Sequence, residues 1–245
     1  MTLEIKESLI KPKVLAIGAS PRKGGNSDVL LKHFCAGVNH AGIETEEIQL
    51  RDCQITPCVG CELCRKTGEC SRFDDDMVEI YKKIVESRGL FLMSPVHNYN
   101  ITAWMKGFID RLYCFYDFTV PRPGHWSSKL ANQGRKATVA AVAEQTNKED
   151  MGFTLEAMQM PLEALGYEIN MKFPVLGVFE KGKVADCPET IHTAEMYGEK
   201  LKTAPRGFPK DFPDIQLLNF KSFTESCLSP SAIFSFSLNS AKSIS

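Results

Sequence analysis

Apolar positions along the chain follow two alternating rhythms. Short, almost unbroken apolar runs recur at "KVLAIG" (13–18), "GLFLMSPV" (89–96) and "KATVAAVA" (136–143). Runs of this length and purity are expected of strands buried on both faces. "ETEEIQL" (44–50) is more polar and is predicted as an edge strand, and "YEINMKFPVLGV" (167–178) as the last strand. Between these runs the period lengthens to three and four. Leu30, Phe34 and Val38 lie four apart and stop at Gly42, which predicts a helix after the first strand. Ile101, Trp104, Met105, Phe108, Ile109, Leu112, Phe115 and Tyr116 share one stripe, which predicts a helix over 101–116. Further helices are predicted over 74–87, where Asp74, Asp75 and Asp76 suit the positive end of the dipole, over 150–166 and over 190–203.

Strands alternating with helices specify an α/β fold with a doubly wound parallel sheet. About five strands in one unit fit the flavodoxin-like order better than a full dinucleotide-binding fold. The pattern breaks after Thr203, where "APRGFPKDFPDIQLLNF" is spaced by prolines and residues 222–245 hold nine serines. The expected organisation is one domain over 1–203 and an irregular C-terminal extension over 204–245.

Composition narrows the class. Hydrophobic residues make up 43% of the chain, enough for a sizeable core, and 29 basic against 30 acidic residues leave a net charge of −1. That balance points to neither a nucleic-acid nor an acidic-membrane partner. No run of about 18 apolar residues is present to span a membrane. The opening "MTLEIKESLIKPKVLAIG" lacks the features of a secretory signal, so a cytoplasmic location is expected. In such a reducing compartment nine cysteines are not a disulfide framework.

"GASPRKGGNS" (18–27) joins the end of the first strand to a helix N-terminus. Ligands of such sheets bind at the carboxyl ends of strands, and free N–H groups at a helix start favour an anion. The glycines of the turn, Gly25 among them, let the backbone approach closely. Ser20, Asn26 and Ser27 add neutral donors and Arg22 a forked cation. Neither Gly-x-Gly-x-x-Gly nor Gly-Lys-Ser/Thr is present, so a monophosphate such as that of FMN is the expected guest. A second loop, "SPVHNYNITAWMKGFIDR" (94–111), leaves the third strand. Pro95 fixes a turn, and Val96, His97, Asn98 and Tyr99 offer flat faces and N–H groups to a planar ring.

Cys58, Cys61, Cys64 and Cys70 read C-x2-C-x2-C-x5-C, with Cys53 just upstream. So compact a run can wrap four thiolates around a 4Fe–4S cluster. Free thiols and a zinc ion are the alternatives, although structural zinc sites usually pair two knuckles farther apart. Cys53 is an extra thiol able to stand in for one ligand. Cys35, Cys114 and Cys187 read as small, buried hydrophobes.

In order and spacing, these three segments resemble the NADPH-dependent FMN reductase family, and within it the iron–sulfur flavoproteins, over residues 12–203. The resemblance implies that Ser20, Arg22, Gly25, Asn26 and Ser27 hold the FMN phosphate and that residues 95–99 lie against the isoalloxazine. It implies a third flavin wall at 144–147, including Gln145 and Thr146. His97 stands where the family usually has Tyr. Cys58, Cys61, Cys64 and Cys70 map onto the family's cluster ligands. The implied activity is FMN-dependent oxidoreduction, with NAD(P)H as a possible reductant. Electrons would pass between FMN, the cluster and a ferredoxin-like or small-molecule partner. The implied assembly is a homo-oligomer, dimer or tetramer, with FMN near a subunit boundary. Two rivals stand beside this reading: a cluster-free NAD(P)H-dependent FMN or quinone reductase, and a flavodoxin-like carrier without turnover of its own.

Overall fold

The computed structural model describes residues 13–201. In chain order its elements are β1 (Lys13–Gly18), α1 (Asn26–His40), β2 (Glu44–Gln49), α2 (Cys64–Thr67), α3 (Met77–Glu86), β3 (Gly89–Pro95), α4 (Ala103–Arg111), β4 (Tyr116–Phe118), β5 (Trp126–Ser128), β6 (Lys136–Val142), α5 (Thr154–Ala164), β7 (Glu168–Val175) and α6 (Pro188–Lys200). Five strands form one parallel sheet in the order β2-β1-β3-β6-β7, the flavodoxin-like doubly wound arrangement. The expected extension over 204–245 lies outside the described residues.

Strand side chains alternate between two buried faces. Val14 and Ala16 of β1 pack with α1 and α6, whereas Leu15 and Ile17 pack with α3, α4 and α5. On the first face Phe34 of α1 stacks on Phe91 of β3, ring centroids 3.8 Å apart. Burying a side chain of this size contributes about 1.5–3 kcal/mol. Because both faces are covered, the central strands must be apolar throughout, which is why their runs were unbroken. At the opposite end of the sheet from the ligand-binding rim, Arg135 is buried and donates to the carbonyls of Ile84, Val85 and Ser87. It closes the C-terminus of α3, where a cation is favoured.

Three expectations are corrected. The helix expected over 101–116 ends at Arg111 and tightens into a 3₁₀ turn over Leu112–Phe115, and Tyr116 opens β4. The apolar stripe runs on because a 3₁₀ turn also places every third residue on one side. The helix expected over 150–166 starts at Thr154, after Gly152 at φ +54° breaks the preceding 3₁₀ turn. The aspartates before α3 do more than complement its dipole. Asp75 Oδ1 accepts from the helix N–H of Met77, but Asp75 Oδ2 and Asp76 Oδ2 accept from Thr56 and Gln54 N–H. Trp126 sits in the small β4–β5 hairpin, edge-on to Tyr116.

Candidate functional site

Three loops leave the carboxyl ends of adjacent strands β1, β3 and β6. The strands tie those loops to one rim: Ala19 N–H donates to Met93 O (2.9 Å) and Val96 N–H to Val142 O (2.8 Å). Strands spaced about 4.8 Å apart make this rim about 10 Å wide, the scale of a fused ring system.

The first loop ends at Gly25, which caps α1 in extended conformation. A Cβ there would sit 2.9 Å from Arg22 O, so the turn closes this tightly only around glycine. The N–H groups of Asn26 and Ser27 then open the helix without intrahelical acceptors. Ser20 is buried and its Oγ accepts from Arg22 N–H (3.2 Å). The side chains of Asn26 and Arg22 are engaged elsewhere. Asn26 Nδ2 donates to Glu180 O (2.9 Å) and its Oδ1 accepts from Val184 N–H (3.0 Å). Arg22 donates to Phe179 O (3.1 Å) and stacks on the Phe179 ring. Asn26 therefore offers an anion its main-chain N–H and not its amide.

Two residues unread in the sequence set the charge here. Asp28 Oδ2 accepts from Gly24 N–H (2.7 Å), and its Oδ1 accepts from Arg51 Nη1 (2.9 Å). Arg51 Nη1 also donates to Ser20 O (3.1 Å). The arginine neutralises a carboxylate that would otherwise repel a phosphate at the helix start.

The second loop is a tight turn. His97 and Asn100 exchange both backbone hydrogen bonds (2.8 and 3.1 Å), and Asn98 and Tyr99 between them take φ +49° and +63°. Positive φ at both central positions is the type I′ turn, normally built with glycine or asparagine. Tyrosine in that region is strained at a cost of order 1–3 kcal/mol, as is common at ligand sites. Phe153 N–H pins the turn through Tyr99 O (2.9 Å), and the Tyr99 ring stays exposed. Gly152 packs so closely that a Cβ would overlap the Tyr99 main chain. Gln145 and Thr146 project from the third loop, where Gln145 O accepts from Gly177 N–H (3.0 Å).

A separate cavity gathers the cysteines. Cys58, Cys61, Cys64 and Cys70 line it together with Val59, Leu63, Phe73, Arg111, Tyr113 and Cys114. Burial holds the Cys64 thiol above the ordinary value, and the nearby Cys70, Cys58 and Cys61 thiols add to the effect. Cys53 is absent from the lining; it packs against the core, its thiol raised by burial and then by Asp76 and Asp52. Cys114 is the surprise. It is buried as expected, yet it is a fifth thiol of the cavity, pushed up to about 12 by burial and then by Cys64.

The cysteine loop is held from both sides. Arg111, its side chain 1% exposed, donates to Asp75 Oδ2 (2.6 Å), Asp75 Oδ1 (3.1 Å) and Thr56 O (2.7 Å). Burial alone would raise the Asp75 carboxyl, but Arg111 and the N–H groups of Thr56 and Met77 outweigh it and hold it below the ordinary range. On the other side Glu62 accepts from Arg122 of the β4–β5 hairpin, from Tyr113 and from Arg65. Among the described residues, no three His, Cys, Asp or Glu side chains are gathered closely enough for a single metal ion. Four thiols around one cavity match a 4Fe–4S cluster in donor type and number.

Residues 12–161 match the family model of NADPH-dependent FMN reductase, and residues 175–238 match one described as a conserved hypothetical protein. Among curated relatives, an iron-sulfur flavoprotein of Methanocaldococcus jannaschii is 40% identical over 99 residues, which is 40% of this chain and 51% of the relative. One from Archaeoglobus fulgidus is 39% identical over 100 residues, 41% of this chain and 45% of the relative. The chain thus spans about half the length of the curated relatives it matches. Among solved structures, an NAD(P)H:quinone oxidoreductase from Methanothermobacter marburgensis superposes with TM-score 0.60 at 20% identity, covering 78% of this chain and 100% of that one. An FMN-dependent NADH-azoreductase from Bacillus anthracis superposes with TM-score 0.54 at 19% identity, covering 78% and 99%. At these identities the structures speak for the fold. The family model spans more than half of the sequence, and the chain belongs to the NADPH-dependent FMN reductase family.

Proposed function

We propose that the protein is an electron-transferring, FMN-dependent oxidoreductase with a 4Fe–4S cluster held by Cys58, Cys61, Cys64 and Cys70. The observation that carries this reading is the convergence of those four thiols on one cavity of a chain that also carries the three-loop rim. When bound, FMN supplies hydride or single-electron chemistry and the cluster single-electron chemistry. The chain's own part is binding and orientation. Main-chain N–H groups of Asn26 and Ser27 receive the phosphate, and Arg51 cancels the charge of Asp28 beneath it. The strained turn presents Val96, His97, Asn98 and Tyr99 to one side of the isoalloxazine, with Gln145 and Thr146 as the further wall.

Helix α4 starts one residue after Thr102, which caps it, and ends at Arg111 in the cysteine cavity. At 1.5 Å per residue its nine residues make the helix about 14 Å long, from the end of the second loop to that cavity. The pairing suits exchange between a two-electron donor or acceptor, such as NAD(P)H, and a one-electron carrier such as ferredoxin or a small molecule. Tyr99, Trp104 and Phe153 leave apolar area exposed near the rim, which supports a homo-oligomer with FMN at a boundary between copies. The eight described cysteines are all unpaired, in keeping with a reducing cytoplasm. No described helix is long and apolar enough to cross a membrane.

The Cys61→Ala variant tests the ligand set: it is expected to lose iron and acid-labile sulfide while keeping FMN. Full iron content in that variant overturns the assignment. Steady NAD(P)H oxidation with excess acceptor distinguishes an enzyme from a pure carrier, which shows almost none.

A further inference from the structure

Arg111 leaves one donor unused in the wall of the cysteine cavity. Both Nη groups are engaged, with Asp75 and with the Thr56 carbonyl, but Nε is buried and bonded to nothing. Leaving a buried N–H unpaired costs about 1–3 kcal/mol, so native proteins rarely do so without a partner that completes the site. The side chain is 1% exposed, so bulk water does not serve as that partner. The cavity's other lining limits the choice of acceptor. Val59, Leu63 and Phe73 are apolar, the Glu62 carboxylate is already taken by Arg122, Tyr113 and Arg65, and the Tyr81 hydroxyl beside the guanidinium is turned to Arg111 O (2.9 Å). What the cavity offers in number is sulfur.

We infer that Arg111 Nε–H donates a hydrogen bond to the sulfur of the iron–sulfur cluster or of a cysteine thiolate that holds it, and that this bond raises the cluster's reduction potential. The inference rests on the cluster reading above. A donor and a fixed positive charge stabilise the more negative, reduced state, the lever by which outer-shell groups tune such clusters. Arginine suits the role where lysine does not. Its planar fork spends two nitrogens on Asp75 and still presents a third N–H in a fixed direction, whereas an ammonium on a flexible stem has no such geometry. Asp75 is then the residue that sets the plane of the guanidinium.

The test uses the full chain, purified anaerobically. Iron and acid-labile sulfide in the unmodified protein come first. Their absence removes the cluster reading and this inference with it; their presence leaves the hydrogen bond to be judged alone. Protein labelled with 15N-arginine is then reduced with dithionite, and electron–nuclear double resonance is recorded on the reduced cluster. An arginine 15N coupling is expected in the unmodified protein and in Arg72→Lys, whose side chain also lines the cavity, and its loss is expected in Arg111→Lys. The cluster potential of Arg111→Lys is expected to fall by about 59 mV, a tenfold change in the one-electron equilibrium, while the FMN potential stays put. Iron-loaded protein without a 15N coupling, a coupling lost in Arg72→Lys instead, or an unmoved cluster potential in Arg111→Lys overturns the inference. Should Arg111→Lys fail to fold, the spectra of the unmodified protein and Arg72→Lys decide it.

Discussion

Arg111 and Asp75, 36 residues apart, meet in a two-pronged ion pair beneath the cysteine loop, with side chains 1% and 7% exposed. The same guanidinium holds Thr56 O, and the same carboxylate holds Thr56 N–H, so one pair fixes both main-chain groups of Thr56 at the loop's entry. Removing one partner strands a buried charge. Asp75→Ala is therefore expected to cost about 3–5 kcal/mol in urea unfolding. A loss under 1 kcal/mol would show that the pair does not hold the loop.

The pair also sets an acid limb of stability. The folded-state pKa of Asp75 lies below its unfolded value of about 3.9, so its contribution is complete above that value and lost as pH falls through the folded one. The stability difference between the unmodified protein and Asp75→Asn is expected to be flat from pH 7 to 5 and to shrink below about pH 4. A difference that grows on acidification contradicts the assigned sign.

Gly152→Ala should act on the flavin through the Tyr99 turn. It meets both a left-handed backbone, φ +54°, and the Tyr99 main chain. FMN titration of the apoprotein by fluorescence quenching is expected to show affinity at least tenfold weaker, about 1.4 kcal/mol, with far-ultraviolet circular dichroism preserved. Unchanged affinity would separate the turn from the flavin.

Thiol labelling should sort the cysteines by position. In chain freed of iron with a chelator, Cys58 and Cys61 are exposed and are expected to react first with a maleimide. Cys35 and Cys114 are buried, and burial above all pushes both thiols up to about 12, so they are expected to react last. Peptide mass spectrometry reads the order; early modification of Cys114 would contradict its place in the cavity wall.

The sheet was legible because a strand covered on both faces must be apolar along its whole length, and "KVLAIG" and "GLFLMSPV" carry that signature unmistakably. The end of α4 was not, because the 3₁₀ turn after Arg111 preserves the apolar spacing of a helix. Local grouping was legible where the residues are sequence neighbours: Cys58, Cys61, Cys64 and Cys70 line one cavity, and Gly25 caps α1. Grouping stayed hidden where the fold joins distant residues. Arg51 reaches Asp28 across 23 positions, and Cys114 enters a cavity built 44 residues upstream and more. Asn26 shows the converse: its side chain was read as a donor for a phosphate, but its amide serves Glu180 and Val184, which no local pattern announces.

The account's central claim is that one chain carries both FMN and a four-thiolate cluster. The most direct test is a visible spectrum of anaerobically purified protein, with iron, acid-labile sulfide and released flavin assayed on the same sample. The account predicts flavin bands over a broad cluster absorption, with about four irons and one FMN per chain. Flavin without iron would contradict it and leave Cys58, Cys61, Cys64 and Cys70 as thiols of a simple flavin reductase.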